Sequence, residues 1–125
     1  MDFTPMELVK KAIKILDAKK ADEIVVIEVT NVTIIADYFI ICSANSSTQL
    51  KSLYEELEFK LKGQDIIPLR VEGNREGGWI VLDYGSVIVH IFSKDQREFY
   101  DLERLWADGV KVDISDIVNK NNDID

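Results

Sequence analysis

Leu8, Val9, Ala12, Ile13 and Leu16 recur at helical spacing, with Lys10, Lys11 and Lys14 on the other side, which predicts an amphipathic first helix. Thr4-Pro5-Met6-Glu7 supplies its start: Thr4 as N-cap, Pro5 at the first helical position and Glu7 closing a capping box. The helix should end near Lys20, where Lys19 and Lys20 suit the negative end of its dipole. From Glu23 to Val29 the pattern changes to EIVVIEV, a short β-branched run that reads as a buried strand. Residues 30–36 connect it to a second strand, YFIICS. Alternation there puts Tyr38, Ile40 and Cys42 on one face and Phe39, Ile41 and Ser43 on the other. Ser46 and Ser47 then read as capping residues of a second helix, whose stripe is Leu50, Leu53, Tyr54, Leu57 and Leu61 and whose end is marked by Gly63.

In the second half, Pro68-Leu69-Arg70-Val71 reads as a third strand, with the proline hinting at a sheet edge. The glycine-rich EGNREGG follows as a loop. Strand four, WIVLDY, places Trp79, Val81 and Asp83 opposite Ile80, Leu82 and Tyr84. Gly85-Ser86 turns the chain into strand five, VIVHIF, where Ile88, His90 and Phe92 share a face; so short a turn makes the two strands antiparallel neighbours. A third helix is predicted from Asp95 as N-cap, with Phe99, Leu102 and Trp106 at helical intervals. Beyond it, a short strand or turn is expected around Lys111 to Ile114, and the last six or so residues should be frayed. The element order is thus α-β-β-α-β-β-β-α. One domain over 1–110 and an acidic, partly disordered tail over 111–125 are expected.

Composition agrees with a single folded domain. With 125 residues, 46% of them apolar and 30% charged, the chain can bury about two-thirds of its unfolded surface. Its apolar runs are too short to cross a bilayer, and its start lacks a signal or transit pattern, so the cytoplasm is the expected location. Cys42 is the only cysteine and His90 the only histidine, too few ligands for a dedicated zinc site. The net charge of −8, from 23 acidic and 15 basic residues, changes the picture more. Such a chain is repelled by phosphate backbones and anionic lipid, so neither nucleic acid nor membrane is expected as the main contact, and a basic protein partner is favoured.

Several segments use the vocabulary of an active site. SANSSTQ sits between a strand and a helix but has no glycine for a phosphate cradle. EGNREGG has glycines but leads into a strand and matches no nucleotide-loop spacing. His90 with Asp83 could act as base and orienting carboxylate, yet no nucleophile elbow accompanies them. The expectation is no catalytic, cofactor or metal site. The segment from Glu76 to Trp106 is instead the aromatic-rich part of the chain, and aromatic anchors dominate protein interfaces.

The runs W-I-V-L-D-Y-G-x-V-I-V-H-I-F and R-x-F-Y-x-L-E-x-L-W, with the earlier A-D-Y-F-I-I-C-S-x-x-S-S, resemble the ribosomal silencing factor family, also called the Iojap family. The resemblance implies a mixed sheet flanked by helices, an α/β (α+β) fold similar to nucleotidyltransferases, here with five strands. It implies a translation inhibitor that binds the large ribosomal subunit through its fourteenth-numbered protein and so blocks docking of the small subunit. Glu72, Trp79, Asp83, Tyr84, His90, Tyr100 and Glu103 fall on family positions and are the expected partner-binding residues. Ser86 stands where many members have an acid. The alternative is a nucleotidyltransferase-like enzyme using Asp83 and His90. Exposed strand edges also leave room for a homodimer of the free protein.

Overall fold

The computed structural model describes residues 3–122. Helix α1 (Pro5–Ala18) opens on the expected reciprocal cap: the Glu7 N–H donates to Thr4 Oγ1 at 3.1 Å and the Thr4 N–H to Glu7 Oε1 at 3.2 Å. Its whole apolar stripe is buried. Helix α2 (Ser47–Lys62) is capped by Ser46, whose hydroxyl accepts from the Gln49 N–H. Gly63 takes the C-cap position in right-handed backbone, and the left-handed residue that closes the turn is Asp65. The Ile66 N–H then bonds to the Leu61 carbonyl, and both side chains enter the core.

The strands are β1 (Asp22–Glu28), β2 (Tyr38–Ala44), β3 (Arg70–Asn74), β4 (Trp79–Asp83), β5 (Val87–Ser93) and β6 (Val110–Val112). They form one mixed sheet in the order β3-β4-β5-β2-β1-β6, parallel at β2/β5 and antiparallel at every other junction. The sheet therefore has six strands, not the expected five. The sixth pairs Val110, Lys111 and Val112 with Glu28, Ile27 and Val26, covering an edge of β1 that would otherwise be open. It overlaps the short strand or turn expected around Lys111 to Ile114, which the five-strand count leaves out. The third strand also runs later than expected: Glu72, Gly73 and Asn74 pair with β4, which leaves residues 75–78 as a tight turn. Its edge position is as the proline suggested.

Alternation sorts the sheet into two faces. Val26, Ile40, Cys42, Ile80, Leu82, Val87, Val89 and Ile91 lie under α1 and α2 in the main core. There burial pushes the Cys42 thiol up to about 12, so it stays protonated. Ile27, Phe39, Ile41 and Phe92 lie on the opposite face in a smaller cluster with Val29, Ala36 and Leu102. Helix α5 (Ser115–Asn122) packs beside α1, so the segment expected as a loose tail carries part of β6 and a helix. Residues 123–125, on which part of the expected fraying falls, lie outside the described residues. No described helix is long and apolar enough to cross a membrane.

After β5 the chain makes two short helices, α3 (Lys94–Tyr100) and α4 (Leu102–Leu105), where the spacing predicted one. The break is Asp101, in left-handed backbone at φ 47°. The N-cap of α3 is Ser93 rather than Asp95: β5 runs directly into the helix, and the Ser93 hydroxyl accepts from the Gln96 N–H at 3.2 Å.

Candidate functional site

The less covered sheet face has a regular grid. Across β3, β4, β5 and β2, one row of partners is Glu72, Val81, His90 and Ile41, and the next is Arg70, Asp83, Ile88 and Phe39. Leu102 and Trp106 cap the β2 side of this face, the Trp106 ring meeting Phe39 edge to face at 5.0 Å. Toward β3 this face is less covered: Glu72 is exposed and Val81, Asp83 and Ile88 are only half-buried. A half-open face carrying aromatic, aliphatic and acidic groups is the result.

Trp79 is the hinge of this surface. Its ring stacks on Phe92 at 4.9 Å and packs against Tyr100 at 4.5 Å, and its indole N–H donates to His90 Nδ1 at 3.2 Å. That bond makes Nδ1 the acceptor and leaves the imidazole proton on Nε2. Burial holds the imidazole down at about 4, well below its ordinary value, so His90 is neutral at physiological pH. Asp83 is engaged elsewhere: one oxygen accepts from the Gly85 N–H at 2.8 Å and the other faces Arg70 Nε at 3.4 Å. Carboxylate and imidazole therefore serve the turn and the aromatic cluster rather than each other. Among the described residues no group of three or more His, Cys, Asp or Glu side chains is placed to hold a metal ion.

Of the seven expected partner-binding residues, Glu72, Trp79, Asp83 and His90 share this face, and Tyr100 stands at its border, 46% exposed. Tyr84 departs from the set. Strand alternation turns it to the helix-covered face, where it is 3% exposed and burial raises its phenol well above the ordinary value. Glu103 is tied down in an ion pair with a residue that the helical pattern did not single out. Arg97 is 7% exposed, grips both Glu103 oxygens through Nε (3.1 Å) and Nη2 (3.2 Å), and reaches Ser43 Oγ through Nη1 at 2.8 Å. Phe99, expected on the buried side, is instead 76% exposed. The break at Asp101 changes the helical phase, so spacing counted through it assigns the wrong side. The available signal was an arginine and a glutamate six residues apart around an aspartate able to adopt left-handed backbone.

A model of the family described as "Ribosomal silencing factor during starvation" matches residues 3–125. The chain is similar to the ribosomal silencing factor of Halalkalibacterium halodurans, 36% identical over 113 residues that cover 90% of this chain and 97% of that one. It is also similar to a mouse protein named "Mitochondrial assembly of ribosomal large subunit protein 1", 32% identical over 76% of this chain and 43% of that one. A crystal structure of a Chromobacterium violaceum protein superposes with a TM-score of 0.81 at 30% identity, covering 84% of this chain and 88% of the other.

Proposed function

The chain belongs to the ribosomal silencing factor family, and from that premise we propose that it docks on a basic protein of the large ribosomal subunit and keeps the small subunit from joining. The resemblance points to the fourteenth-numbered protein of that subunit. The observation that carries this reading is the half-open sheet face, where exposed Glu72 and half-buried Val81, Asp83 and Ile88 lie beside the Trp79–Tyr100 pair. An aromatic anchor beside half-buried aliphatics and carboxylates suits a basic protein surface. The name of the mouse relative adds support for the large subunit as the site of action. The inhibition needs no chemistry, because occupying a docking surface is sufficient, and the cytoplasm is where it would act.

Purified large and small subunits mixed with the protein and sedimented should yield fewer joined ribosomes; an unchanged yield overturns the reading. Tyr100→Ala and Glu72→Lys change exposed side chains. Each should weaken binding to large subunits roughly tenfold, about 1.4 kcal/mol, without altering the circular dichroism spectrum.

A further inference from the structure

We propose that Arg97 is a positioning residue, which sets the α3–Asp101–α4 corner so that Tyr100 and Leu105 are held outward at the border of the docking face. This rests on the reading above and deepens it. The inference starts from the weakness of the corner. Helix α4 has four residues and α3 seven, too short to be stable by themselves. The non-glycine residue between them occupies left-handed backbone, a conformation that persists only where surrounding contacts enforce it. Yet the corner holds Phe99, Tyr100 and Leu105 exposed, against the tendency of apolar side chains to fold inward.

Apolar contacts supply part of the enforcement, with Tyr100 packed against Trp79 at 4.5 Å. Leu102 and Trp106 anchor the underside of α4 in the smaller cluster. Besides an exposed ion pair between Lys94 and Asp22 at 3.2 Å, the corner is tied to the sheet by the buried Arg97 guanidinium, which joins three elements. It reaches Ser43 on β2 and the Asp22 carbonyl on β1 through Nη1, and it holds Glu103 on α4 with two parallel bonds. The Asp101 N–H also returns to the Arg97 carbonyl at 2.9 Å, so main chain and side chain of one residue bracket the turn. A planar, two-pronged cation can make all these contacts at once, whereas a lysine ammonium cannot grip both carboxylate oxygens and still reach Ser43. Arg97 and Ser43 are both nearly inaccessible, so a partner meets the surface that they shape rather than these side chains.

The test uses Arg97→Lys and Ser43→Ala in the full chain. Hydrogen exchange at the amides of residues 101–106 should accelerate about tenfold or more in both variants, while amides in β2 and β5 keep their protection. Affinity for purified large subunits should fall about fivefold or more in step with that local loosening. Wild-type exchange rates at 101–106 would show that Arg97 does not set the corner. Accelerated exchange with undiminished affinity would show that the corner lies outside the docking face. If the wild-type chain itself fails to bind large subunits, the proposed function falls, and the exchange measurement still decides the role of Arg97. A variant carrying both Tyr100→Ala and Leu105→Ala should lose little further affinity from Ser43→Ala, since the side chains being positioned are gone; fully additive losses would count against the proposal.

Discussion

His90 shows how a residue with catalytic associations is committed to packing. The ring is 8% exposed, its Nδ1 accepts from Trp79, and Phe39 meets it edge to face at 5.4 Å. Protonation would put a charge among these rings and break the indole bond. The folded-state value of about 4 lies below the ordinary 6.5, so protons bind preferentially to the unfolded chain. The stabilisation is therefore complete above pH 6.5 and is lost as pH falls from there toward 4. Between pH 6.5 and 5, largely ahead of the carboxylates, unfolding free energy from urea titrations should drop by roughly 1.5 kcal/mol. His90→Gln should abolish that slope, and a wild-type slope of zero would contradict the buried, neutral imidazole.

The same backbone requirement has different consequences at two glycines, one within β3 and one just after β4. Gly73 (φ 90°) and Gly85 (φ 86°) are both left-handed. A Cβ on Gly73 would run into the Trp79 carbonyl oxygen, whereas one on Gly85 would meet only the Leu69 side chain at an ordinary 3.6 Å. Gly85→Ala should thus cost about 1 kcal/mol from strain alone, and Gly73→Ala about 3 kcal/mol or more, since the main chains must separate. Equal urea midpoints for the two variants would refute this account. At the same scale lies the boundary of what the sequence makes legible. The Thr4 cap, the stripes of α1 and α2, and the alternation in β2, β4 and β5 depend on neighbours within a few residues, and each is where the pattern put it. The sixth strand, the extension of β3 and the role of Arg97 depend on partners far along the chain. Val110–Val112 is a strand because β1 has an edge to fill, and Arg97 is buried because Ser43 and Glu103 receive it. Tyr84 is the reverse case: alternation alone already set it opposite Trp79 and Asp83, while family position grouped it with them.

Charge acts at the scale of the whole molecule, and its distribution separates two ways of meeting a ribosome. Helices α1 and α2 together carry six lysines against five carboxylates, a net of +1, so the remainder of the chain, including the sheet and the α3–α4 corner, carries −9 of the overall −8. If the half-open face meets a basic protein, attraction comes from that remainder and the helix layer faces away. Binding to large subunits should then weaken severalfold between about 50 and 300 mM salt, as screening shortens the reach of exposed charges below about 10 Å, with a residue of apolar affinity that salt does not remove. Salt dependence alone would not identify the partner, because contacts to ribosomal RNA are also salt-sensitive. The lysines of α2 supply the discriminating arm. Replacing Lys51, Lys60 and Lys62 by Gln alters side chains on the opposite side of the sheet from the proposed face and should leave affinity unchanged or slightly improved. A phosphate-dominated contact through the helix layer would instead lose affinity with each lysine and show a shallower salt slope. Binding assays on the triple variant across that salt range therefore decide between a protein surface and an RNA backbone as the principal partner.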